Sequence, residues 1–129
     1  MSTLSLAQSV RDLLDREEIR ELTARYAHGV ALGDGTAVAS LFTDDAVFST
    51  EGGDEMQLPN VLRGRDAITK FYAGLRPGAA LPCVHNHVIQ LDGERATGSC
   101  TLEVRIALGG HSLSGAGYYE DAYRREGGR

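Results

Sequence analysis

The segment RYAHGVALGDGTAVASLFTDDAVF, from Arg25 to Phe48, carries the change of texture that decides the architecture. Tyr26 and Val30 continue a run begun by Ile19 and Leu22 at steps of three and four, the spacing of one buried helical stripe. Gly33-Asp34-Gly35 interrupts that helix, and Asp34 stands where a side-chain oxygen caps the next one. That shorter helix has Val38, Leu41 and Phe42 on its inner face. Asp44 and Asp45 end it, and Ala46 to Thr50 reads as a first strand.

Upstream, Leu4, Leu6, Val10, Leu13 and Leu14 predict a short helical lead-in, and Asp15 with Glu18 three residues later predicts the N-cap of a second helix. Downstream, Glu51 to Asn60 reads as a polar loop. Asp66 to Leu75 then forms a helix with Ile68, Phe71 and Leu75 on one face, stopped by Pro77-Gly78. Beyond it the texture is extended. Cys83 to Leu91, Ala96 to Ile106 and Ser112 to Arg125 are predicted strands, with turns at Asp92-Gly93 and Gly109-Gly110. Helices followed by a meandering antiparallel sheet define an α+β fold, expected as a single domain over residues 1–129 with no internal linker.

A chain of 129 residues with 42% hydrophobic and 24% charged residues is expected to build one packed core. The net charge of −5, with arginines dispersed, speaks against a nucleic-acid partner, because phosphate binding needs clustered cations. Neither a signal peptide nor an apolar run long enough for a bilayer is found, so no membrane contact and a cytoplasmic location are expected. Cys83 and Cys100 match no disulfide or zinc framework and are read as buried thiols. The sequence lacks a phosphate loop, a dinucleotide fingerprint and a nucleophile elbow, so no cofactor is expected.

The Arg25–Phe48 segment, together with GRDAI (Gly64–Ile68), HNHVIQLDGERATG (His85–Gly98) and YYEDAYRREGGR (Tyr118–Arg129), resembles the SnoaL-like and ketosteroid-isomerase-like branches of the nuclear-transport-factor-2-like superfamily. The resemblance implies a cone whose N-terminal helices pack on a curved antiparallel sheet and enclose a pocket. It also implies a further, Trp-containing strand after Gly128-Arg129, which this sequence does not contain, and a homodimer formed through the convex sheet face. Such proteins include isomerases, dehydratases, cyclases, epoxide hydrolases and binding proteins, so the fold does not fix the function.

The resemblance places the oxyanion-donating tyrosine of ketosteroid isomerases at Tyr26 and, counting back from Gly128-Arg129, their second donor, a carboxylic acid, at Glu120. Asp121 would then face the opposite side of the strand. Each has a plainer reading: Tyr26 fills the apolar stripe, and Glu120 lies on a solvated strand face. The isomerases' general base, a first-strand aspartate, falls on Thr50, which cannot abstract a proton at neutral pH. In dehydratase-like relatives an acid near the end of the second helix pairs with a strand histidine. Here Val30, Ala31 and Leu32 hold that ground, and Asp34, the only acid between Glu21 and Asp44, reads as a helix cap or as a site acid.

His85 and His87 alternate on one predicted strand and are expected to face the same side, as a general base, polar pocket lining or partly buried structural residues. A metal would need a third ligand, and the sequence nominates none. The resulting expectation is cofactor-free proton transfer on a small hydrophobic molecule: isomerisation, dehydration or cyclisation. His85 would be acid or base, Tyr26 and Glu120 would polarise a carbonyl, and Phe42, Val47, Thr50 and His87 would line the ligand site. The rival is a non-catalytic ligand-binding or dimerisation domain.

Overall fold

The computed structural model of the chain describes residues 5–50, 61–108 and 111–126. One helix, α1 (Leu6–Leu32), opens the fold; Ser5 caps it by accepting a hydrogen bond from the Gln8 amide at 3.1 Å. The expected division into a lead-in and a second helix capped at Asp15 is therefore corrected. No Gly or Pro lies between Leu6 and Tyr26 to break the first turns. Asp15 sits inside the continuous helix and instead pairs with Arg125.

The chain turns at Gly33, and Asp34 accepts from the Ala37 amide at 3.1 Å to cap α2 (Gly35–Ala39). Then β1 (Val47–Ser49) pairs antiparallel with β2 (Val61–Arg63), leading into α3 (Arg65–Tyr72). The sequence reading did not include β2, whose three residues are too few for a period-2 pattern. The Arg65 guanidinium ties α3 back to the chain before β1, bonding the Phe42 carbonyl and the Asp44 carboxylate. The loop expected over Glu51–Asn60 and the Gly109-Gly110 turn lie outside the described residues.

The large sheet is antiparallel in the order β3 (Ala80–Asp92), β4 (Arg95–Leu108), β5 (His111–Arg124). Helix α1 lies across β3, where the Arg16 guanidinium donates to the Ile89 carbonyl. One core cluster joins the helices: Val38 and Ile68 are fully buried beside Val30 and Tyr72, with Tyr26, Phe42, Phe48 and Phe71 packed around them. Ile89, Ala96, Cys100 and Leu102 form the buried part of the sheet's inner face.

A β-bulge interrupts β3 between His85 and Val88. Asn86 takes a left-handed conformation with φ of 55°, a region Asn tolerates better than most side chains, and its Nδ2 donates to Thr101 Oγ1 at 3.1 Å. The extra residue reverses the facing of the strand beyond it. The expectation that His85 and His87 share a side is corrected: His85 is exposed on the outer face, whereas His87 is half-buried on the inner one. The cysteines also divide, for Cys100 is a buried thiol but Cys83 is exposed on the outer face of β3.

Candidate functional site

The inner face of β5 presents Tyr119, Asp121 and Tyr123 in alternation, each half-buried, while Tyr118, Glu120 and Ala122 are exposed. The expected assignment of Glu120 to the interior and Asp121 to the opposite side is thus off by one position. In a period-2 strand a one-residue offset moves the whole side-chain set to the other face. Glu120 borders the cavity described below but stays exposed; Asp121 is the carboxyl that faces inward.

Opposite β5, α1 contributes Leu22, Thr23 and Tyr26, and the segment from Leu41 to Phe48 contributes Phe42, Thr43, Ala46, Val47 and Phe48. Together these surfaces bound a cavity of about 460 Å³, with the exposed Arg95 and Arg124 at its rim. The size and the mainly apolar lining with few polar groups are those of small-molecule sites. Thr50 is half-buried but does not line it, and His87 sits behind Tyr123.

Two sets of polar contacts back the walls of this space. The first is a phenol cluster: Tyr26 meets Phe42, Tyr72 and Tyr119 edge-on, at centroid distances of 6.5, 6.1 and 6.1 Å. Its hydroxyl lies 2.8 Å from that of Tyr72. Burial holds the pKa values of Tyr26 and Tyr119 well above the ordinary phenol value and pushes that of Tyr72 up to about 12. These phenols keep their protons and act as hydrogen-bond donors.

The second set is a chain from β3 to β5. His87 Nε2 lies 3.1 Å from the Tyr123 hydroxyl, which donates to Asp121 Oδ2 at 3.3 Å. Burial raises the Asp121 pKa, and the Tyr123 hydrogen bond and the nearby His87 only partly oppose this. Burial lowers the His87 pKa, favouring neutral imidazole, with Asp121 pulling the other way and Arg20 adding to the depression. Gly98 of β4 lies opposite Ile89 and Asp121 and leaves room for this contact; a Cβ there would stand 3.0 Å from His87 Nε2.

The structure therefore brings Tyr26, Phe42 and Val47 to one cavity and leaves His85 on the outer sheet face. The sequence reading did not assign Tyr72, Tyr119 and Tyr123 to a site. The available signal was the Tyr-x-Asp-x-Tyr alternation from Tyr119 to Tyr123, which puts one carboxyl between two phenols but does not reveal which face is interior. Among the described residues no three His, Cys, Asp or Glu side chains converge as metal ligands, and no helix is long and apolar enough to cross a membrane.

No curated protein matches the sequence. Among solved structures the chain is similar to an NTF2-like protein with a cystatin-like fold from Novosphingobium aromaticivorans, at 28% identity and a TM-score of 0.79, covering 98% of this chain and 83% of that one. A putative scytalone dehydratase from the same organism superposes with a TM-score of 0.78 at 18% identity, covering 94% and 80%. A hexachlorocyclohexane dehydrochlorinase (LinA) type 2 superposes at 0.77 with 18% identity, covering 93% and 81%. The latter two likenesses carry the fold alone. The family described as the SnoaL-like domain matches residues 11–129, and the chain belongs to that family.

Proposed function

We propose that the cavity binds a small hydrophobic carbonyl compound and that the protein catalyses proton transfer on it without a cofactor, as an isomerase, dehydratase or cyclase. The observation that carries this reading is Asp121, the inward carboxyl among the described residues lining the cavity, set among phenols with a raised pKa and a hydrogen bond from Tyr123. Such a carboxylate is a stronger base than an exposed one and is better matched to removing a proton near neutral pH. Asp121 takes the substrate proton, and the Tyr123 hydroxyl, backed by His87, orients the carboxylate. The Tyr26 hydroxyl donates to the enolate oxygen as its charge develops, the step in which a preorganised donor is most effective.

The test is exchange in deuterium oxide. The protein is incubated with a panel of hydrophobic cyclic ketones and enones, and deuterium uptake at the acidic carbon is followed by mass spectrometry. Wild-type protein is expected to catalyse uptake with at least one member, and Asp121→Asn to lose it while still binding that compound. Undiminished exchange in Asp121→Asn would end the assignment of the base. Native mass spectrometry of freshly purified protein would identify a retained ligand.

A second reading, a non-catalytic ligand-binding or dimer-forming domain, is favoured by one observation. His85 and Glu120 are both exposed on the outer sheet face, in rows with Thr101 and Tyr118 and with Ser99 and Val88. Val88 and Tyr118 are 62% and 68% exposed, so the patch has apolar area for a second copy to cover. In either reading we place a homodimer contact there. Sedimentation showing only monomer at micromolar concentration would remove it.

A further inference from the structure

We propose that Arg95 is a specificity residue that holds a carboxylate of the substrate at the rim of the cavity. This rests on the reading of the cavity as a small-molecule site and adds the chemical class: an amphipathic acid, with an apolar body inside and its anionic end at Arg95.

Three arginines gather where β4 begins and β5 ends, and two of them are committed. Arg124 is held by Asp45, at 2.9 and 3.2 Å, and by Glu126 at 2.5 Å. Arg125 is held by Asp15 and, at 3.8 Å, by Glu94. Arg95 is the direct cross-strand neighbour of Arg124, yet its side chain makes no ion pair or hydrogen bond among the described residues. Like charges placed directly opposite in an antiparallel pair oppose stability, so the fold gains nothing from a cation at this position.

Arg95 also occupies a particular place. It lines both the large cavity and a smaller recess of about 90 Å³ on the other side of Tyr123, where Glu18 is the carboxylate that has no ion pair among the described residues. A guanidinium presents a planar fork of donors that fits a carboxylate in two parallel hydrogen bonds, a geometry an ammonium cannot supply. Along the paired strands, Arg95 and Arg124 stand three residues from Gly98 and Asp121, an odd step that puts them on the other side of the sheet from the inward carboxyl, so the Arg95 guanidinium meets the cavity at its rim and not in its interior.

The test uses two fluorescent probes with the same aromatic body, 1-anilinonaphthalene-8-sulfonate, which is anionic, and N-phenyl-1-naphthylamine, which is neutral. Both are titrated into the full chain at low salt. The anionic probe is expected to bind at least about tenfold tighter, as a charge-assisted pair predicts, and the two should displace each other. Arg95→Ala should weaken the anionic probe roughly five- to twentyfold and leave the neutral one within about twofold, with Arg95→Lys falling between. Arg105→Ala, the same charge change further along β4, should alter neither. Equal losses for both probes, equal losses in Arg105→Ala, or failure of the probes to compete would overturn the proposal. If the neutral probe binds and the anionic one binds no tighter, the anchor fails and the cavity reading stands; if neither binds, both fail.

Discussion

The Nε2 atom of His87 lies 3.1 Å from the Tyr123 hydroxyl, and the two side chains meet above Gly98 of the intervening strand. A Cβ at Gly98 would stand 3.0 Å from that nitrogen and 3.1 Å from Tyr123 Cε2, tighter than ordinary contact. Gly98→Ala is expected to push the two rings apart while β4 keeps its pairing. Because Tyr123 orients Asp121, deuterium exchange should fall by about ten- to a hundredfold, the scale of a sub-ångström misplacement at a reacting group. The His87 ring proton shifts in NMR should move with it. A variant with unchanged exchange and unchanged shifts would show that this contact orients nothing.

Asp121 gives a stability prediction whose sign is fixed by its direction of shift. Its folded pKa is raised above 3.8 by burial, so the folded state holds this proton more tightly than the unfolded chain. The resulting stabilisation is complete below the unfolded pKa and is lost as pH rises through the folded one. At neutral pH the ionised, half-buried carboxylate is therefore a burden on the fold. Asp121→Asn keeps an acceptor for Tyr123 and removes that charge. Its melting temperature at pH 7.5 should exceed the wild type's, and the gain should vanish as pH falls below the ordinary carboxylate range. A variant less stable than wild type at pH 7.5 would mean that the carboxylate is a net structural asset.

His87 acts in the opposite sense. Its folded pKa is depressed by burial, so its contribution is present above the unfolded value of 6.5 and lost as pH falls through the folded value. His87→Gln should flatten the acid limb of the stability profile between about pH 6.5 and 5, a change that thermal melts across that range would detect.

The helix junctions make a packing prediction. A Cβ on Gly35 would stand 2.2 Å from the Tyr72 carbonyl oxygen, a backbone atom that cannot swing aside. Gly35→Ala should cost about 3 kcal/mol or more, separating α2 from α3 and disturbing Tyr72. Gly74→Ala, where the nearest atom would be 3.8 Å away, should be neutral or stabilising by about 0.4–1 kcal/mol. Equal melting temperatures for the two variants would contradict the close approach.

Much of this arrangement was legible before the structure because it rests on local chemistry. The stripe from Ile19 to Val30, the Asp34 cap and the three long strands follow from spacing and from residues that break or cap helices. The rest was hidden because it depends on parity and on long-range contact. The bulge at Asn86 turns His87 inward and leaves His85 outside, and a period-2 count cannot detect an inserted residue. On β5, counting back from the chain's last residues selected Glu120, yet packing against α1 makes Asp121 the interior carboxyl. Tyr72 joined the site only through its contact with Tyr26, 46 residues earlier.

That contact supplies the last prediction, which separates a donor to the substrate from a donor to the fold. The hydroxyls of Tyr26 and Tyr72 are 2.8 Å apart, and either can donate. Removing the Tyr26 hydroxyl leaves Tyr72 without its partner in a buried setting, a cost of about 1–3 kcal/mol unless water enters, whereas in Tyr72→Phe the Tyr26 hydroxyl keeps that of Tyr119. Tyr26→Phe should therefore lower the melting temperature more than Tyr72→Phe, and the double variant should lose less than their sum, with a coupling of about 0.5–1.5 kcal/mol. Turnover should divide them. Tyr26 faces the cavity and Tyr72 stands behind it, so on the proposed mechanism only Tyr26→Phe removes the donor to the developing enolate. Exchange should fall by about ten- to a thousandfold in Tyr26→Phe, the range for one lost oxyanion donor, and by less than about tenfold in Tyr72→Phe. Equal losses of exchange in the two single variants would make the phenol pair a structural unit and take Tyr26 out of the chemistry.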